Sequence, residues 1–472
     1  MMNRRKFLRN GGLLGLGSLM VNPLTLTSAQ AQNLAKTDIA PIKTAKNIIF
    51  MVSDGMSNGT LTLCDLMMQR KLGKESAWMY LYRKNLAKRA LMDTASANSL
   101  VTDSAAAGSA WGGGVRVNNG SINVGPNGEI HEPILVKFKK AGKAVGCVTT
   151  VPITHATPAS FCVNVSSRSA ATEIADKYLD LKFDVLLGGG IENFEKSGRK
   201  DGRDLLQDFK NAGLKVALNK QELLKLKNAK EPVLGVFHKD GLPYTVDQNS
   251  DKELQEKVPT LAEMTAFAID KLSKNPNGFV MQVEAGKVDW AAHANDPFAI
   301  INDQYAFDQA LQIALDFADK NTDTLVVFTT DHGNSNPGLF SAKNCNETFD
   351  EVCNAKQSNE WILKGITRDS SLNQIIDRIQ HASNCKIKYE DAQVLQKFFI
   401  EMENDGEYNP YKLPFRQLSE IQGKYNNIGW GGVNHSADFV ELGMYGAGSE
   451  MLPPFVKNTD LHNFMLRASG LL

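Results

Sequence analysis

The sequence predicts an α/β protein: a three-layer sandwich with a central, mostly parallel sheet, plus an inserted, crown-like cap segment. Three observations carry this expectation. Short apolar runs without polar alternation recur along the chain, as expected of strands covered on both faces. Helical stretches lie between the runs, and that alternation points to a parallel sheet layered between helices. From about Pro337 to Gly429 the pattern lapses into polar, mixed-charge sequence with no strong strand, and a last α/β piece begins near Trp430.

The elements follow in chain order. Arg4-Arg5-Lys6-Phe7-Leu8 is a twin-arginine pattern, followed by a mild apolar run from Gly11 to Met20 and a small-residue cleavage site at Ala29-Gln30-Ala31. Residues 1–31 are therefore expected to be a signal peptide. The run is too short and too glycine-rich for a membrane span. The mature protein is expected to begin near Gln32 and to be exported by the twin-arginine pathway, to a periplasm or outside the cell. Buried strands are expected at Lys46–Ser53, Ala144–Pro152, Phe183–Gly190, Gly278–Glu284 and Thr324–Asp331. Between the last two, Ile301, Tyr305, Leu311 and Ala314 recur at roughly helical spacing and mark a helix up to Lys320. The lysine-rich stretch from Arg199 to Glu256 reads as surface covering. The domain plan is thus a main α/β domain at 32–336, the cap at 337–429, and the rest of the main domain at 430–472.

Composition sets outer bounds. The 472 residues are 42% hydrophobic and 22% charged, enough to bury a large core. Lys+Arg and Asp+Glu balance at 52 each, so no nucleic-acid or membrane partner is expected. Six cysteines fit an exported protein without demanding disulfides. Cys345 and Cys353 are close enough in sequence for a local bridge. Cys64, Cys147 and Cys162 lie in apolar contexts and read as buried thiols. No CxxC occurs, which argues against a cysteine zinc knuckle.

In parallel α/β folds ligands bind at the carboxyl ends of strands, and those ends are rich in metal-ligand types. The first run ends in Asp54-Gly55-Met56. The Ala144 run leads to His155-Ala156-Thr157-Pro158. The Gly278 run ends in Glu284, with Asp289 and His293 following at helical i,i+4 spacing. The Thr324 run ends in Asp331-His332, and Asn434-His435-Ser436 comes later. Aspartate with histidine suits zinc, while glutamate with a hydroxyl and an aspartate suits magnesium. Each piece alone reads more readily as a turn, a structural hydrogen bond or a solvated helix face. Their joint occurrence at successive strand ends does not. In Thr102-Asp103-Ser104-Ala105-Ala106-Ala107-Gly108, a small-residue helix start places Ser104 where an anion is favoured, although an Asp-Ser pair also serves as an ordinary cap.

Asp54, Thr102-Asp103-Ser104-Ala105, His155-Ala156-Thr157-Pro158 with Arg168, Glu284 through Asp289 to His293, Asp331-His332 and His435 together resemble the alkaline phosphatases. The resemblance runs from about Lys46 to Gly448 in the same order and with similar spacing. It implies hydrolysis of phosphate monoesters through a phosphoseryl intermediate at a site with two zinc ions and one magnesium. It implies Asp289, His293 and His435 as ligands of the first zinc, and Asp54, Asp331 and His332 as ligands of the second. Asp54, Thr157 and Glu284 would hold magnesium, with His155 reaching the third metal directly or through water. Ser104 is implied as the nucleophile, Arg168 as the phosphate grip, and Asp103 as its support. A homodimer acting on small phosphomonoesters is also implied. His155 and Trp290 stand where the enterobacterial members carry aspartate and lysine, which opens the identity of the third metal.

Three other readings compete. A phosphodiesterase of the same superfamily is the alternative function, and many of those use a threonine nucleophile. A sulfatase would need a modified residue followed by a proline–arginine pattern, whereas Ser104 is followed by three alanines. A non-catalytic phosphate or metal binder would need no serine beside its ligands. His131, His238, His381 and His462 take no role in any of these readings.

Overall fold

The computed structural model describes residues 44–402 and 412–472. The expected signal peptide lies outside the described residues. Along the chain the strands are β1 (Asn47–Ser53), β2 (Lys88–Met92), β3 (Ala144–Pro152), β4 (Val185–Gly189), β5 (Lys215–Ala217), β6 (Val233–Val236), β7 (Phe279–Ala285), β8 (Thr324–Thr329), β9 (Gly333–Asn334), β10 (Gly338–Leu339), β11 (Ile428–Gly429), β12 (His435–Ser436), β13 (Val440–Gly446) and β14 (Phe455–Val456). Ten of them form one sheet in the order β14-β2-β13-β8-β1-β7-β3-β4-β6-β5. Only β13 runs antiparallel to its neighbours.

The layering follows from side-chain alternation. Every residue of β1 is buried. Ile49 and Met51 enter one apolar cluster, while Ile48, Phe50 and Val52 enter another on the opposite face. A strand flanked by two cores must be apolar throughout, which is why its sequence shows no alternation. Helices cover both faces, and the result is the three-layer sandwich. The helix Pro297–Lys320 is held at its start by Asp296, whose carboxylate accepts from the backbone N–H of Phe298 and Ala299, with Pro297 in the first turn.

The stretch from Arg199 to Glu256 is more than surface covering. It supplies β5 and β6, and all four residues of β6 are buried. In the later segment, β10 and β11 pair antiparallel, so the chain leaves at Leu339 and returns at Ile428 side by side. The helices between them bury a separate cluster that includes Ile362, Ile375, Ile379, Leu395 and Leu418. No helix among the described residues is long and apolar enough to cross a membrane.

The cysteine expectations divide. Cys64, Cys147 and Cys162 are buried free thiols. Cys345 and Cys353 are also free and stand at opposite ends of one helix. Eight residues of helical rise is about 12 Å, beyond the reach of a disulfide.

Candidate active site

The sheet register assembles the acidic residues. Val52 of β1 is level with Glu284 of β7 on one side and with Thr329 of β8 on the other. Carried two residues further, the same register sets Asp54 level with Asp331. A backbone bond confirms the closeness: Gly55 N–H donates to Asp331 Oδ1 at 3.0 Å. On the next strand, Thr149 of β3 pairs with Glu284 and its hydroxyl donates to that carboxylate. The chain then turns at the end of β3 to present His155 and the helix Ala156–Cys162. Thr157 in that helix donates to Asp54 Oδ2 at 3.2 Å.

Three groups of side chains place their ligand atoms close enough to share a cation: Asp289, His332 and His435; Asp54, Asp331 and His332; and Asp54, His155 and Glu284. His293 borders the first group, with Nε2 at 3.4 Å from Asp289 Oδ2 and 3.1 Å from His435 Nε2. Its other ring nitrogen faces the Val433 carbonyl at 2.8 Å. His435 is fixed the same way, with Nδ1 at 2.9 Å from the Thr102 carbonyl. In both rings the backbone contact leaves Nε2 directed at the site, as a metal ligand requires.

Charge balance tests whether cations fit here. Asp54, Glu284, Asp289 and Asp331 are all buried, and four carboxylates cannot be ionised together away from water without positive charge beside them. Burial, followed by the charges of Asp331, Asp289 and Glu284, pushes the Asp54 carboxyl well above its ordinary value. Burial would raise Asp331 and Asp289 too, but neighbouring imidazoles outweigh it: His332 for Asp331, and His293, His332 and His435 for Asp289. Asp54 Oδ1, Glu284 Oε1 and His155 Nδ1 are buried without a hydrogen-bond partner among the described residues. Native interiors rarely leave such acceptors bare. The donor set, carboxylates with imidazoles and one threonine hydroxyl, suits zinc and magnesium.

Ser104 opens the helix Ser104–Gly112, with Asp103 at its N-cap accepting from Ala106 N–H at 3.0 Å. The Ser104 hydroxyl oxygen lies 3.3 Å from Nε2 of His332, the ring shared by the first two ligand groups. The other end of the helix is also pinned. His462 faces the Trp111 carbonyl with Nδ1 at 2.8 Å and meets the Lys137 ammonium with Nε2 at 2.9 Å. Those contacts give His462 a structural part in holding the helix that Ser104 opens. Arg168 Nη1 donates to Asp103 Oδ2 at 3.1 Å, and Nη2 donates to His155 Nε2 at 3.0 Å. Asp103 Oδ2 also accepts from Gly120 N–H at 2.9 Å. One carboxylate thus caps the serine helix and orients the arginine.

All twelve residues singled out in the sequence lie in this one region. Others belong beside them. Asn334 donates to Asp289 Oδ1 at 2.7 Å. Thr330 accepts from Met56 N–H at 2.9 Å and donates to the His332 carbonyl at 2.9 Å, tying the two ligand loops together. Asn334 sits two residues after His332, before the left-handed pair Ser335 and Asn336. That turn-forming composition was a usable signal.

A family model described as alkaline phosphatase matches residues 45–471. Alkaline phosphatase 4 of Bacillus subtilis (strain 168) is 32% identical over 450 residues, covering 94% of this chain and 92% of the relative. Alkaline phosphatase of Escherichia coli (strain K12) is 32% identical over 368 residues, covering 66% of this chain and 77% of the relative. Among solved structures, the alkaline phosphatase of Thermus thermophilus superposes with a TM-score of 0.84 at 31% identity, covering 91% of this chain and 92% of that one.

His462 generates a pH prediction. Burial, then the Lys137 charge, pushes its imidazole down from 6.5 to about 4. A depressed imidazole contributes stability that is fully present above the unfolded value and is lost as pH falls toward the folded one. The full effect is roughly 3 kcal/mol. Thermal melts between pH 7 and pH 4 should therefore show a smaller acid-induced loss in His462→Gln than in the parent. An equal loss in both would remove His462 as a source of the dependence.

Proposed function

The chain belongs to the alkaline phosphatase family and is a phosphomonoester hydrolase, and on that premise we propose that Ser104 attacks phosphorus and carries the phosphoryl group as a seryl phosphate. The observation that carries this reading is the Ser104 hydroxyl at a helix N-terminus and 3.3 Å from His332, which belongs to two groups of candidate cation ligands. Two zinc ions and one magnesium are the proposed metals. Asp289, His293 and His435 would hold the first zinc, and Asp54, Asp331 and His332 the second. Asp54, Thr157 and Glu284 would hold magnesium, with His155 alongside. When bound, these cations supply Lewis-acid stabilisation of the serine and leaving-group oxygens at neutral pH.

The chain's own groups do the rest. The helix beginning at Ser104 directs its positive end toward the phosphate dianion. Arg168, already fixed by Asp103, presents a planar fork to two phosphate oxygens. Charge on the equatorial oxygens is thus stabilised while the serine oxygen bonds to phosphorus and the alcohol oxygen departs. Water then cleaves the seryl phosphate, releasing inorganic phosphate and restoring the Ser104 hydroxyl. Export by the twin-arginine pathway is proposed from Arg4-Arg5-Lys6-Phe7-Leu8. A homodimer and a cap formed by residues 337–429 are also proposed.

Three measurements test this. Ser104→Ala should lose nearly all turnover of a chromogenic phosphomonoester while its metal content, by elemental analysis, stays near the parent's. Retained turnover would reject serine attack. Arg168→Ala should weaken inhibition by inorganic phosphate by about 1.5–3 kcal/mol, the worth of a hydrogen-bonded charge contact. An unchanged inhibition constant would exclude Arg168 from the phosphate site. Chelation should abolish activity and lower the melting temperature, with zinc and magnesium together restoring both. Indifference to chelation would overturn the metal assignment.

A further inference from the structure

We propose that Lys287 is a positioning residue for phosphate binding, acting through Trp290 and His155 on the guanidinium of Arg168. The inference rests on the phosphate-gripping role proposed for Arg168 and extends that site to residues that never touch the substrate.

Lys287 opens the helix Lys287–His293, and only 4% of it is exposed. Burying an ammonium is unfavourable unless something replaces its water. Here aromatic faces do: the ammonium lies 3.7 Å from the centre of the Tyr244 ring and 4.5 Å from that of Trp290. Both distances are within cation–π range. Glu360, Asp303, Asp240 and Asp247 act on it with favourable charge. Lys287 and Trp290 are three apart on the helix and share a face. Asp289, between them in sequence, carries its carboxylate to the ligand cluster.

Trp290 has little freedom of its own. A Cβ built on Gly241 would lie 2.9 Å from Cζ3 of the indole and 3.3 Å from Cδ of Lys287. The ring is thus confined by the Gly241 backbone and by the ammonium over it. Trp290 also meets His155 edge-on, with ring centres 6.4 Å apart and planes at 75°. His155 in turn accepts from Arg168 Nη2. Arg168 therefore has two supports. One is Asp103, within the phosphate site itself. The other runs from His155 to Trp290 and ends at Lys287, which feels the charges of Asp247 and Glu360.

A lysine serving only to fill this interior would affect folding, and any loss would appear in the melting temperature. A positioning lysine must affect phosphate affinity. The readouts are the dissociation constant for inorganic phosphate by calorimetry, the kinetic constants for a chromogenic monoester, the melting temperature, and metal content. Lys287→Met is expected to weaken phosphate binding by about three- to tenfold, a part of the roughly thirtyfold that a desolvated cation–π contact is worth. KM should change more than kcat, and metal content should stay at the parent level. Lys287→Arg, which keeps a cation over the rings, should return affinity to within about twofold of the parent. Gly241→Ala perturbs the same indole without changing any charge and should weaken phosphate binding in the same direction. It carries the test if Lys287→Met does not fold. Adding Lys287→Met to His155→Ala should produce no further loss. Parental phosphate affinity in folded Lys287→Met, or in folded Gly241→Ala, would overturn the proposal. So would losses that multiply in the double variant. If Arg168→Ala itself binds phosphate normally, the underlying reading of Arg168 fails, independently of Lys287.

Discussion

Four buried carboxylates gathered around a few imidazoles are the constraint on which the rest of the structure depends. Asp54, Glu284 with Asp289, and Asp331 come from three separate segments of the chain, and each is almost fully removed from water. Self-repulsion and desolvation together would oppose such an arrangement unless the surrounding fold were strong enough to impose it. The ten-stranded sheet imposes it. Ladder hydrogen bonds fix β8, β1, β7 and β3 side by side, so their carboxyl ends cannot separate without breaking the register. The energy for gathering the acids comes from two large apolar cores on either face, and the gathered acids then create an affinity for cations that no isolated loop could provide. The cysteine-free ligand set follows from the same logic: oxygen and imidazole ligands lie at strand ends and helix starts, where backbone geometry already fixes them.

Legibility from sequence follows this architecture. The five strand runs found by their unbroken apolar character became β8, β1, β7, β3 and β4, which are contiguous in the middle of the sheet. Central strands are buried on both faces and leave that mark in sequence. Strands toward the edges do not. Lys88–Met92 alternates between exposed and buried positions, Lys215–Ala217 is three residues long, and Val440–Gly446 carries a glutamate and two glycines. Their membership of the sheet is decided by long-range pairing, a tertiary effect that local composition does not encode. The ligands were legible for a related reason. They follow the central strands directly, so finding the strand end located the ligand. The turn composition after His332 marks a loop at Asn334 but not what its side chain does, and Thr330 carries no local signal at all. Only the partner across the site, Asp289 for one and Met56 N–H for the other, reveals the role.

The helical segment between β10 and β11 packs largely upon itself. Its ends are held together by a short antiparallel pair, and its helices bury an apolar cluster of their own. Its two flanking strands form a sheet of their own, apart from the ten-stranded one. The segment is nevertheless anchored to the sheet's helical layer by buried polar contacts. Asn359 N–H donates to Asp296 Oδ2, and Ser358 N–H and its hydroxyl donate to Asp247. Asp296 is the residue that caps the long helix Pro297–Lys320, so one carboxylate serves two helix starts.

The same economy of anchoring recurs at the site. Asp103 caps the serine helix and aims Arg168; Asp331 accepts from the loop that follows Asp54; His435 reaches back to the carbonyl of Thr102, two residues before Ser104. Each of these groups has one partner in the site and one in the backbone that shapes it. Ser104, Arg168 and the clustered carboxylates and imidazoles are consequently fixed relative to one another. Such preorganisation favours electrostatic catalysis, because dipoles and charges already in place need not reorient as charge develops on phosphorus. It also means that displacing any one of these doubly bonded residues disturbs two parts of the site at once, so losses from single substitutions should not be read as the worth of a single contact.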